Sequence, residues 1–110
     1  MQKRTKACAI TPKVRQIVEE RDGGRCIFCK RPGRGEAHFI SRAHGGLGIP
    51  ENILTVCREC HELMDQTTNR EIMLNIAEAY LREHYPSWDK QDLVYHKWPF
   101  GEGVSRTTLP

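Results

Sequence analysis

Four of the five cysteines in this 110-residue chain fall in two CxxC pairs, Cys26/Cys29 and Cys57/Cys60, with 27 residues between them. No other feature limits the fold so tightly. Four thiolates make a closed tetrahedral site for a structural zinc ion, with no position left open for a substrate. A redox pair or reversible disulfide is the other use of the motif. The opening residues, MQKRTKACAI, lack the apolar stretch of a secretory signal, and no run reaches membrane-spanning length. A reducing, cytoplasmic setting is therefore expected, and there paired CxxC motifs favour zinc. A staple is also needed, because 38% hydrophobic residues in one short domain support only a modest core. Cys8 has no partner and is expected to be a free or buried thiol.

The residues around the cysteines predict an α+β domain. Residues 1–10 are basic and aperiodic and read as a flexible arm. Thr11-Pro12 has the form of an N-cap followed by proline at the first helical position. Val14, Ile17 and Val18 then carry a short helix to about Arg21, which stops at Asp22-Gly23-Gly24 and should pack over the zinc site. Cys26–Gly33 reads as a zinc knuckle, and Glu36–Ile40 as a strand. Gly45-Gly46 and Gly48-Ile49-Pro50 supply a loop, and Ile53–Val56 a returning antiparallel strand that the second CxxC closes. A helix from near Cys60 would carry His61, Leu63, Met64 and Asp65. The clearest helical stripe is Ile72, Met73, Ile76, Ala77, Tyr80 and Leu81, ended by Pro86. Ser87 is read as the cap of a last short helix that runs through Asp89 to about His96. The divisions are thus an arm at 1–10, a zinc-stapled core at 11–66, a helical extension at 67–98 and a tail at 99–110.

Charge is unevenly spread. Residues 1–42 hold eleven Lys or Arg against four acids, and the rest hold six against ten, so a net charge of +3 conceals about +7 followed by about −4. Such asymmetry suits a face that meets an anionic polymer, although a merely solvated basic surface has the same composition. His61 and Asp65 are four residues apart, on one face of the expected helix. They read equally as a grip for a second cation or as an exposed hydrogen-bonded pair.

The segments CIFC, AHFISRAHGG and ENILTVCRECH together resemble the HNH endonucleases of the ββα-metal fold, in particular the small zinc-bearing phage and prophage forms, over roughly residues 12–66. The resemblance implies a ββα-metal finger with a Cys26, Cys29, Cys57, Cys60 zinc site, an N-terminal helix and a C-terminal helical extension. It makes His38 the general base, Asn52 the brace of the loop that bears it, and His61 a ligand of a catalytic divalent ion. That ion is Mg²⁺ physiologically, with Mn²⁺ or Ni²⁺ as substitutes. One position departs from the pattern: the family places Asp or His before the base, and here stands Ala37, which cannot bind metal. Asp65 is the preferred replacement ligand, with Glu36, water and DNA phosphate as the others.

The resemblance also implies hydrolysis of DNA phosphodiester bonds to 5′-phosphate and 3′-hydroxyl ends. Arg42, Arg25, Lys30, Arg31 and Arg34, with Arg15, are the candidates for holding backbone phosphates. His44 is expected in solvent. Two other readings stand beside this one: a zinc-stabilised DNA-binding module with a degenerate site, and a scaffold for proteins such as phage packaging partners.

Overall fold

The computed structural model describes residues 3–96, and the expected tail at 99–110 lies outside them. The domain is α+β. Its helices are α1 (Lys3–Cys8), α2 (Pro12–Arg21), α3 (Arg58–Met64) and α4 (Thr67–His84), and its sheet is one antiparallel hairpin of β1 (Arg34–His38) and β2 (Ile53–Val56). Short 3-10 turns at Arg42–His44, Pro50–Asn52 and Lys90–Leu93 complete the path. No helix among the described residues is long and apolar enough to cross a membrane.

Helix α2 starts as its sequence dictates: Thr11 Oγ1 accepts the amide of Val14 at 3.2 Å, with Pro12 at the first turn. It packs on the hairpin, where its buried residue Val18 lies against Gly35 of β1. The hairpin runs from Arg34↔Val56 to His38↔Ile53 and contains a bulge at Glu36, between the pairs Gly35↔Thr55 and Ala37↔Leu54. Every residue of β2 is buried, so this strand is the centre of the core. The first strand begins and ends two residues earlier than the sequence suggested. Phe39 and Ile40, which would have extended it, leave the ladder to bond Asn52 instead.

Five further expectations change. Residues 3–8, read as an arm, are helix α1, and its last residue Cys8 is buried. Helix α3 starts at Arg58 rather than Cys60, because Cys57 occupies the N-cap and its Sγ accepts the Cys60 amide. Asp65 is the residue that closes α3, not one within it. On α4 the buried rail is Met73, Ala77 and Leu81, while Ile72 and Ile76 are 63% and 49% exposed. Residues spaced by four lie on one line along a helix, and α4 has protein on only one side of that line. The last expected helix is a single 3-10 turn capped by Asp89.

The polar tie between these layers is the adjacent pair Arg21–Asp22. The Arg21 guanidinium donates to both Asp22 oxygens, to the carbonyls of Pro50 and Ile53, and to the Tyr85 hydroxyl. The Asp22 carboxylate also accepts the Thr55 amide at 3.0 Å and the Tyr80 hydroxyl. One side-chain pair thus joins α2, β2 and α4. Burial alone would raise the Asp22 pKa, but the bonds from Arg21, Tyr80 and Thr55 outweigh it and hold the carboxyl below its ordinary value. A buried pair that loses one partner costs about 3–5 kcal/mol, because the other charge stays unpaired. Asp22→Asn should therefore destabilise the domain by about 3 kcal/mol at neutral pH, measured by urea unfolding. The folded pKa is depressed, so this advantage is complete above the unfolded value of about 3.9 and is lost as pH falls through the folded one. A wild-type and Asn difference that does not shrink in acid would contradict the assignment.

Candidate metal centre and adjoining cleft

The knuckle forms because the chain after Cys26 folds back on itself. Lys30 donates its amide to the Cys26 carbonyl at 2.9 Å, and Cys26 donates to the Arg31 carbonyl at 2.7 Å. Lys30 takes a left-handed backbone with φ of 70°. The knuckle docks on the hairpin through the Ile27 amide, which bonds the Thr55 carbonyl at 3.0 Å. The second CxxC lies at the end of β2 and in the first turn of α3.

All four Sγ atoms then lie within 4.8 Å of one another, with Cys29 and Cys57 at 3.5 Å. A tetrahedron with zinc–sulfur bonds of about 2.3 Å has sulfur–sulfur edges of about 3.8 Å, so the set fits the ion. Its chemistry fits as well. The backbone amide and then the guanidinium of Arg31 act on Cys29 and push its thiol down to about 6, while burial raises that of Cys60. Cys8 lies outside the cluster as a buried free thiol. Among the described residues, these cysteines are the one group of three or more potential ligands that converges.

Asn52 organises the loop beyond β1. Its side chain is fully buried; Oδ1 accepts the Ile40 amide at 2.8 Å, and Nδ2 donates to the carbonyls of Ile40 at 3.1 Å and Leu47 at 2.9 Å. Gly46 is required beside it, because a Cβ there would stand 1.7 Å from the Ile40 oxygen. The C-terminal segment closes over the loop through Leu47 to Leu93 and Tyr95 to Gly45 backbone bonds.

His38, at the end of β1, is half-buried, and its Nε2 lies 2.9 Å from the carbonyl oxygen of Cys8. Bonding that oxygen requires Nε2 to carry the proton, which leaves Nδ1 as an acceptor. Burial lowers the His38 pKa; the Cys8 carbonyl opposes this, and the charges of Arg42 and His61 add to the lowering.

His61 is exposed on α3 and lines a cleft of about 430 Å³ with Arg34, Glu36 and Arg58. Asp65, the expected second ligand, does not line that cleft. The carboxylate that does is Glu36, which also pairs with Arg15 at 3.0 Å. Ala37 is 1% exposed and packs in the apolar core, so a side chain at 37 faces inward, away from the exposed side that carries Glu36.

The basic candidates divide. Arg31 is held by Glu59 at 2.6 Å and by Cys29, and Arg25 donates to the Lys30 carbonyl, so both brace the knuckle. Lys30, Arg34 and Arg42 are exposed. So is His44, whose Nδ1 meets Ser41 Oγ at 2.7 Å. Sequence reasoning passed over Arg58, whose only signal is its place within the second CxxC, and the Cys8 carbonyl, which has none. No protein-family model matches the sequence, and no curated protein matches it.

Zinc on four thiolates contributes about 10–16 kcal/mol in small domains, as much as the whole stability of a typical fold. Cys26→Ser should abolish zinc retention, and strong chelators should remove the cooperative thermal transition of the wild type. A chelated protein that melts at its original temperature would contradict a metal-held fold.

Proposed function

We propose that the chain is a metal-dependent DNA endonuclease of the HNH, ββα-metal type. The observation that carries the reading is His38, half-buried at a strand end, with Nε2 tied to a backbone carbonyl and a pKa below the ordinary histidine value. An imidazole in that state is neutral at pH 7 and has Nδ1 free to take a proton from water. The order of hairpin then helix, the four converging thiols and the bonding of Asn52 across the loop support the same reading.

In this mechanism Asn52 holds the loop so that His38 keeps its place, and His38 deprotonates the attacking water. Arg34 and Arg58, in the cleft with His61, bind phosphates of the substrate strand, and Arg42 and Lys30 extend the track. A divalent ion on His61, with Asp65 or Glu36 as its carboxylate, would offset the charge that builds on the phosphate and the leaving oxygen. Mg²⁺ suits so sparse a donor set, since it keeps several waters and takes one or two protein groups together with phosphate.

One observation favours a second reading, a DNA-binding module without catalysis: beyond the cysteines, no three potential ligands converge among the described residues. Plasmid nicking separates the two. The nuclease reading expects Mg²⁺- or Mn²⁺-dependent nicking that falls at least about 100-fold in His38→Ala with zinc content unchanged. DNA binding without cleavage in any divalent ion would support the module instead. Replacing His61 by Ala should raise the divalent ion concentration needed for half-maximal nicking, and Glu36→Ala and Asp65→Ala identify the carboxylate by the same measure. The acid limb of the rate follows from the lowered pKa: activity persists below the ordinary histidine value of about 6.5 and falls only as pH drops through the depressed one. An acid limb above that value would exclude His38 as the base.

A further inference from the structure

Helix α1 lies outside the hairpin and helix that carry the proposed chemistry, yet it grips the loop between β1 and β2 at both of its ends. At its C-terminal end the last carbonyls have no partners within the helix, and residues of the site take them up. Ala7 O accepts the Gly48 amide at 3.0 Å, and Cys8 O receives His38 Nε2 at 2.9 Å. Gly48 is seated so closely that a Cβ on it would stand 2.0 Å from the Ala9 oxygen. At the other end, the Arg4 guanidinium donates to the carbonyls of Arg42 at 3.1 Å and Ala43 at 2.8 Å.

We infer that α1 is a positioning element for the proposed nuclease site: its docking on the 42–48 loop, through Arg4 and Gly48, brings the Cys8 carbonyl to His38 and fixes which ring nitrogen of the base carries the proton. This rests on His38 being the base. An unrestrained neutral imidazole exchanges between two tautomers, and only the one protonated at Nε2 presents Nδ1 as acceptor. Burial of Cys8, 2% exposed, keeps water from competing for that carbonyl. The same docking carries the Arg4 guanidinium to the loop that bears Arg42. Cys8 therefore acts through its backbone, and its thiol is dispensable for this role.

The test uses the full chain in its zinc-loaded form, with ring nitrogen chemical shifts of His38 read by NMR beside DNA nicking. The wild type should show the tautomer protonated at Nε2. Gly48→Ala, which forces Ala9 away, should give averaged tautomer shifts and a kcat lowered by about tenfold or more, with zinc content and KM for DNA near wild type. Arg4→Gln should move both readouts in the same direction by less, and Arg4→Lys, which can still donate to the two carbonyls, should recover most of the loss. If Gly48→Ala and Arg4→Gln retain the wild-type ring shifts and kcat, α1 does not position the base. A wild-type protein that fails to cut DNA in any divalent ion overturns the nuclease reading instead, and the ring shifts still decide whether α1 sets the tautomer.

Discussion

Convergence of four thiols from two distant CxxC motifs is the constraint on which the remaining architecture depends. The hairpin between the knuckle and α3 has only two strands, too few to be stable alone in water. Joining Cys26 and Cys29 to Cys57 and Cys60 holds both ends of that hairpin at one point. The apolar cluster grows outward from there, through Ile27, Ala37, Leu54 and Met64 to Met73, Ala77 and Leu81 on α4. Trp88 completes it, edge-on to Phe39 at 5.5 Å with its indole nitrogen on the Glu51 carbonyl.

Two buried polar hubs divide the rest of the work. Arg21–Asp22 fixes how α2, β2 and α4 meet, and Asn52 fixes the path of the loop after His38. Each satisfies backbone groups that would cost about 1–3 kcal/mol apiece if buried without a partner. Both hubs therefore act less by adding attraction than by excluding other arrangements. Phe39, Ile40 and Ile49 anchor that loop on the apolar cluster, and hydrogen bonds to Asn52, to the segment near Leu93 and to α1 set its shape.

Much of this was legible because some residue patterns have local causes. The CxxC spacing, Thr11-Pro12, the β-branched run Ile53–Val56 and the Met73, Ala77, Leu81 rail each report on their own neighbourhood, and the corresponding elements are present within a few residues. Asn52 as a brace was legible only through the family resemblance. What could not be read depends on partners far away in sequence. Asp22 looks like an ordinary helix stop until Tyr80 is seen 58 residues away, and Cys8 looks like a stray thiol until its carbonyl is found on His38. Residues 3–8 carry no helical stripe because α1 is held by its carbonyls and Arg4 rather than by an apolar face. Ile72 and Ile76 match the helical period without being covered, because periodicity fixes the angle around a helix and not which side is occupied.

What the four thiols hold decides whether this fold is held by a metal. X-ray absorption at the zinc edge of the purified full-length protein reads the ligand shell directly. A single shell of four sulfurs at about 2.3 Å is the predicted result. A shell containing nitrogen or oxygen in place of sulfur, or protein that folds with no bound metal, would contradict it.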